Sequence, residues 1–166
     1  MATLLHRGAT VHSIGELPPT GSKLPDFTLT GSDMEDTIGP DVAAGRRLVL
    51  NIFPSIDTAT CAMSVRRFNE LAAGLANTVV LCVSNDLPAA QARFCGAEGI
   101  ENVVTASGFR SRFGEDYGVT LVDGRNRGLL SRAVVVADVD GTVLYTEQVE
   151  NISTEPDYEA ALAALR

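Results

Sequence analysis

The sequence predicts an α/β fold, a sheet flanked by helices, and three observations carry that expectation. Leu48–Phe53 is an almost unbroken run of apolar, β-prone residues, as a strand covered on both faces requires. Residues 60–75 set Val65, Phe68, Leu71, Ala72 and Leu75 at spacings of three and four among Arg66, Arg67, Asn69 and Glu70, which is the pattern of an amphipathic helix. Thr78–Ser84 then repeats the buried-strand signature, and Pro88 opens a short helix over residues 88–95. Strand, helix, strand and helix thus follow one another in the order of a right-handed parallel crossover.

Length and composition agree. The chain has 166 residues and a mass of 17.5 kDa, against roughly 100–200 residues per domain, so residues 1–166 are expected to form one domain. Apolar residues make up 45% and charged residues 20%, a balance that supports a packed core rather than disorder. The 13 Lys and Arg against 21 Asp and Glu leave a net charge of −8. Such a field repels nucleic acid and anionic membranes. Met1–Arg7 breaks into polar residues and glycine before any signal-like apolar run develops, and no later stretch has the length of a membrane span. The expected location is the cytoplasm.

The remaining elements follow from the N-terminus. Thr3–Arg7 and Thr10–Ile14 suggest a small hairpin, followed by an irregular segment that lies over the main body and is punctuated by Gly15, Pro18, Pro19, Gly21 and Pro25. Phe27–Thr30 and Glu35–Ile38 are expected as short peripheral strands joined through Gly31-Ser32-Asp33. Pro54 stops the first central strand, because proline has no N–H for the ladder. Val103–Ala106 suggests another short strand, and Phe109–Tyr117 a helix closed by Gly118. Ala133–Ala137 is a strong central strand that turns through Asp140-Gly141 into Val143–Val149, an antiparallel hairpin. Asp157–Leu165, rich in Ala and Leu, completes the chain as a helix on the sheet.

The chemistry concentrates between the first strand and the first helix. Cys61 falls in the opening helical turn at the carboxyl end of a strand, where open α/β folds build their sites. Unpaired helix-entrance amides and the helix dipole favour a thiolate over a thiol there. Thr58 can orient either the thiolate or a substrate oxygen, and Pro54 stiffens the wall. A permanent positive charge is expected from Arg132, immediately before a central strand, in preference to Arg66, Arg67 or Arg110. Taken alone, Cys61 is also compatible with inert packing. Cys82, inside an apolar strand, reads as a small hydrophobe, whereas Cys95, at the end of a short helix next to Gly96, is open to either catalysis or packing.

Other chemistries find little support. Three cysteines do not make a secreted disulfide framework, and His6 and His12 have no Cys/His cluster around them to hold a metal. Gly114, Gly118, Gly124 and Gly128 lack the Gly-Lys-Ser or Gly-Lys-Thr ending of a phosphate loop. No cofactor is expected. Phe27, Phe53, Phe109 and Phe113 are candidates either for an apolar collar around an organic substrate or for the core.

Taken together, Asn51-Ile52-Phe53-Pro54-Ser55-Ile56-Asp57-Thr58, Cys61-Ala62-Met63-Ser64-Val65-Arg66-Arg67-Phe68-Asn69, Val83-Ser84-Asn85-Asp86-Leu87-Pro88, Ala92-Arg93-Phe94-Cys95 and Gly128-Leu129-Leu130-Ser131-Arg132-Ala133-Val134 closely resemble bacterial thiol peroxidases, the Tpx-type atypical two-cysteine peroxiredoxins. The likeness extends to Tyr158-Glu159-Ala160-Ala161-Leu162 and covers nearly the whole chain. It implies a thioredoxin-like fold with an N-terminal β-hairpin, a homodimer, and reduction by thioredoxin. It assigns Cys61 as the peroxidatic and Cys95 as the resolving cysteine, with Thr58, Arg132 and Pro54 in the peroxide pocket. Hydrogen peroxide and alkyl or lipid hydroperoxides are the implied substrates. Val135 stands where many relatives carry Phe, a change in bulk that removes no catalytic group. Two other uses of these residues stay open at this level. One is a redox sensor that reacts once, and the other is a structural Cys61–Cys95 disulfide, for which closing the 34-residue loop contributes about 3.8 kcal/mol.

Overall fold

The computed structural model describes residues 1–166. Strands β1 (Thr3–His6) and β2 (Ala9–His12) form an antiparallel hairpin. The main sheet contains β3 (Arg47–Ile52), β4 (Thr78–Ser84), β5 (Val104–Ser107), β6 (Ala133–Ala137) and β7 (Val143–Gln148) in the order β5-β4-β3-β6-β7. The β3–β4 and β4–β5 pairs are parallel; β6 runs antiparallel to β3, and β7 antiparallel to β6. Helices α1 (Ala59–Ala72), α2 (Pro88–Glu98), α3 (Phe113–Asp116) and α4 (Tyr158–Ala163) complete the order, with a short 3-10 turn over Pro40–Ala43. The mixed sheet, flanking helices and N-terminal hairpin are those of the thioredoxin-like α/β class.

Alternation along the central strands divides the core between two faces. Leu48, Leu50 and Ile52 of β3 join Leu81, Val135, Phe27 and Phe113 on one face. Val49 joins Val80, Cys82, Val134 and Val136 on the other, where Val65 and Phe68 of α1 and Ala161 of α4 cover them. A small third cluster of Leu4, Val11, Leu121 and Ile152 anchors the hairpin. That anchor continues through the backbone, since Leu5 N–H donates to Glu150 O at 2.8 Å and Ile152 N–H to Leu5 O at 2.9 Å.

Three expected boundaries move. Phe27–Thr30 and Glu35–Ile38 meet only through isolated Leu29–Ile38 and Thr30–Ser107 bridges. Asp33 Oδ1 accepts the Glu35 N–H, and Met34 has φ +65°, so a turn takes over before a ladder can grow. The helix expected over Phe109–Tyr117 shrinks to Phe113–Asp116. The Phe109 and Phe113 N–H groups are taken by the Ser107 and Ser111 hydroxyls, local bonds that compete with helix formation. Helix α2 runs three residues beyond Cys95 and stops at Gly99, φ +65°, so Cys95 lies inside the helix rather than at its end.

Candidate active site

Helix α1 begins where Pro54 has ended β3 and the chain has turned through Ser55–Thr58. Thr58 is the N-cap residue, with φ −107° and ψ 149°. The first intrahelical bond joins Ala62 N–H to Thr58 O at 2.9 Å, which leaves the amides of Ala59, Thr60 and Cys61 outside the ladder, on the Cys61 side of the helix mouth. The turn is held from β4's end. Asp86 accepts Ser55 Oγ at 2.8 Å, Ile56 N–H at 2.7 Å and Ser84 Oγ at 2.6 Å.

Cys61 is only 1% exposed, yet it lines a cavity of about 310 Å³ together with Pro54, Thr58, Ala59, Thr60, Arg132, Asn126, Ile152, Ser153, His6 and Arg7. Arg132, itself 2% exposed, donates from Nη2 to Cys61 Sγ at 3.3 Å and from Nε to Ile152 O at 2.9 Å. Its Nη1 is buried without a protein partner. The hairpin contributes twice to this arrangement: His6 and Arg7 form part of the wall, and β1 pairs with the segment whose Ile152 carbonyl fixes the guanidinium. Every charged residue in that wall is basic, although the chain as a whole carries −8. Burial, reinforced by the charges of Arg7 and Arg125, holds the His6 imidazole below its usual range.

Of the expected site residues, four share this cavity: Pro54, Thr58, Cys61 and Arg132. Arg66, Arg67 and Arg110 point elsewhere, to Glu98, Glu70 and Asp36. Thr58 Oγ1 donates to Ser55 O at 2.9 Å, so its proton is committed and its oxygen is left as an acceptor. Cys95 is outside the cavity. It is half-buried in α2 with Thr105 beside its thiol, and burial pushes its pKa up. Cys82 is fully buried, and desolvation pushes its thiol up to about 12 despite the Asn51 amide at 3.6 Å. All three cysteines are free.

The aromatic collar does not form. Phe27, Phe53 and Phe113 are buried in the two cores, Phe27 and Phe113 packing edge to face at 5.5 Å, and Phe109 lies beneath the Arg110 guanidinium. Sequence patterns missed His6, Arg7, Asn126, Ile152 and Ser153 as wall residues. Only the Ser84–Pro88 stretch offered a signal for Asp86.

A sheet of this order, with a cysteine at a helix entrance against a buried arginine, defines the redoxin class, and the model of the Redoxin family matches residues 19–162. Over 165 residues, 99% of both chains, the sequence is 59% identical to the thiol peroxidase of Mycobacterium tuberculosis, and over the same share it is 54% identical to that of Corynebacterium glutamicum. The chain belongs to the thiol peroxidases within the redoxin family. The structure is similar to that of the peroxiredoxin-like protein from Aquifex aeolicus, with a TM-score of 0.92 and 35% identity over 98% of this chain and 95% of the other. The thiol peroxidase from Chromobacterium violaceum shares the fold at a TM-score of 0.90 and 22% identity, covering 98% and 95%.

Proposed function

We propose that this chain is a thiol-dependent peroxidase that reduces hydrogen peroxide and organic hydroperoxides through Cys61, with Cys95 resolving the oxidised sulfur and thioredoxin restoring both thiols. The observation that carries the reading is the Arg132 guanidinium, held by Ile152 O, 3.3 Å from Cys61 Sγ, and left with one buried donor unpaired in the same cavity. A buried donor without a partner is costly, and a peroxide oxygen lying beside the sulfur would satisfy it. Family membership supports the peroxidase activity independently of this geometry.

The steps follow from the chemistry of sulfur. The Cys61 thiolate attacks one peroxide oxygen, the O–O bond breaks, and the other oxygen leaves as alkoxide or hydroxide and takes a proton from water. Arg132 Nη1 and Nη2 are placed to meet the negative charge as it moves from sulfur to oxygen. Thr58 fits the second of its two expected tasks, since its free lone pairs can accept the peroxide O–H while its own proton stays on Ser55 O. Pro54 walls the cavity. Cys95 then attacks the Cys61 sulfenic acid, the S–O bond breaks and water leaves. A dithiol such as thioredoxin reopens the disulfide through a mixed disulfide. We further propose that the protein acts as a homodimer in the cytoplasm, as the sequence resemblance implies.

Rapid-mixing oxidation followed by thioredoxin-coupled turnover tests this reading in wild type, Cys61→Ser and Cys95→Ser. Cys61→Ser should not react with peroxide. Cys95→Ser should keep the first oxidation and lose the intramolecular disulfide. Consumption of a single equivalent by wild type, with no turnover on adding reductant, would make the protein a sensor instead of an enzyme.

A further inference from the structure

Helix α2 is only partly seated in the core, and exposed ion pairs tie its outer side to the molecule. Among its residues Pro88–Glu98 only Pro88 and Gln91 are fully buried, Gly96 stands inside it, and Gly99 ends it in the left-handed region. Two ion pairs cross to it from the segments around Cys61. Arg66, five residues past Cys61 in α1, meets Glu98 through Nε–Oε2 at 3.1 Å and Nη2–Oε1 at 2.7 Å. Its Cζ lies 5.5 Å from the centroid of the Phe94 ring. Arg93 Nη2 is 3.2 Å from Asp57 Oδ1 in the loop that leads to Cys61. Cys95 sits within this frame, next to Phe94 and three residues before Glu98.

We propose that Arg66 and Glu98 form an ionic latch that keeps Cys95 docked away from Cys61, and thereby set how oxidised Cys61 is shared between disulfide formation and a second oxidation. The proposal rests on the Cys61–Cys95 cycle proposed above. Thr105 on β5 lies beside the Cys95 thiol. Thr105 pairs with Cys82 on β4, and Cys82 with Asn51 on β3. Asn51 Nδ2 reaches Ser64 Oγ at 3.2 Å, and Ser64 Oγ donates to Cys61 O at 2.7 Å. The two cysteines therefore sit over strands two spacings apart, about 10 Å, whereas a disulfide needs about 2 Å. The C-terminal half of α2 must leave its seat. Arg66 grips the residues on both sides of Cys95, so that movement breaks its bonds to Glu98 and its stacking on Phe94.

Once Cys61 is a sulfenic acid, two reactions compete. In the first, the Cys95 thiolate attacks the Cys61 sulfur, an S–S bond forms, the S–O bond breaks, and hydroxide leaves and is protonated to water. In the second, the sulfenate sulfur attacks another hydroperoxide, its O–O bond breaks, and sulfinic acid and an alcohol or water result. The first needs α2 open, and the second does not. The latch sets the open fraction, and because both its side chains are partly solvated, salt weakens it. Opening also relieves the burial that pushes the Cys95 thiol up.

The test compares wild type, Arg66→Gln, Glu98→Gln and the charge-reversed pair R66E/E98R. Disulfide and sulfinate are quantified by mass spectrometry across a hydrogen peroxide series at low and high salt. The single variants should close the disulfide about two- to fivefold faster than wild type and raise by the same factor the peroxide concentration that gives half sulfinate. Salt should move wild type further in that direction than the single variants, which keep only the Arg93–Asp57 pair. R66E/E98R restores the ion pair without the stacking on Phe94 and should return part of the way to wild-type behaviour. Singles that match wild type or close more slowly, or a reversed pair that partitions no differently from the singles, overturn the latch. A wild-type disulfide alongside unmoved variants sinks the latch alone, whereas a wild type that forms no Cys61–Cys95 disulfide sinks the cycle and the latch together.

Discussion

Arg132 Nη2 lies 3.3 Å from Cys61 Sγ across 71 residues of sequence, and the same guanidinium is fixed by the Ile152 carbonyl at 2.9 Å. One planar group thus holds the backbone with one nitrogen and the sulfur with a second, and its third is buried without a partner. Lysine has a single nitrogen on a flexible stem and cannot fill three fixed positions. Arg132→Gln should slow the first oxidation of Cys61 by about 100- to 1,000-fold, the loss typical of removing a preorganised donor to developing charge. Arg132→Lys should recover only part of that loss. Single-turnover kinetics with hydrogen peroxide measure both, and a fully active Arg132→Lys would show that charge alone suffices.

Asp86 does for the loop what Ile152 does for the arginine. It collects three hydrogen bonds, two of them from Ser55 and Ile56 in the turn before Cys61. Asp86→Ala strands those donors and should destabilise the fold by about 1–3 kcal/mol, with roughly a tenfold to hundredfold fall in the oxidation rate as the loop loses its position. Asp86→Asn keeps one acceptor oxygen in place of two and should fall between. Thermal unfolding and rapid-mixing kinetics on the same samples separate the two effects, since a loss of stability with an unchanged rate would free Asp86 from any positioning role.

Much of this architecture was legible locally. The apolar runs at Leu48–Phe53, Thr78–Ser84 and Ala133–Ala137 carry their burial in their composition, and each is a central strand. Arg132 stood out because it precedes such a strand. What escaped was set by docking between distant segments. Nothing near His6 or Arg7 announces that β1 will lie along Glu150–Ile152 and bring both residues to the Cys61 cavity. The phenylalanines were ambiguous for the same reason, because residue type reports a wish for burial and not which face of the sheet provides it. Helix α3 is lost over Phe109–Arg112, where the Ser107 and Ser111 hydroxyls draw the Phe109 and Phe113 amides into local turns.

Gly118 shows how a legible stop signal can conceal a second constraint. Its φ of +70° ends α3 as expected, but an added Cβ would also fall 2.3 Å from Glu16 O and 2.4 Å from Glu16 N. Both obstacles are backbone and cannot swing aside. Gly118→Ala combines an unfavourable dihedral with forced separation of the Glu16 strap and should cost more than about 3 kcal/mol. For a chain of this size that corresponds to a melting temperature lower by roughly 6–12 °C. A shift under about 2 °C in calorimetry would mean that the strap gives way freely.

Cys82 offers a test by pH. It lies at the sheet's centre, 0% exposed, and desolvation lifts its thiol to about 12 from an ordinary 9.0. The folded form therefore keeps the proton where the unfolded chain gives it up. Below pH 9 both states are protonated, and the full benefit of the buried neutral thiol is present. Between about 9 and 12 the unfolded chain loses a proton that the native state retains, and stability falls with a slope of about 1.4 kcal/mol per pH unit from this group alone. Lysines and tyrosines titrate in the same range, so the informative quantity is the difference between wild type and Cys82→Ala. Cys82→Ala should be less stable at pH 8, because a small cavity replaces the sulfur, and its disadvantage should shrink as pH rises from 9 to 11. Urea titrations at half-unit steps supply both curves. Parallel curves would show that Cys82 ionises in the native state as readily as in the unfolded chain, and that water reaches the sulfur the sheet is taken to seal.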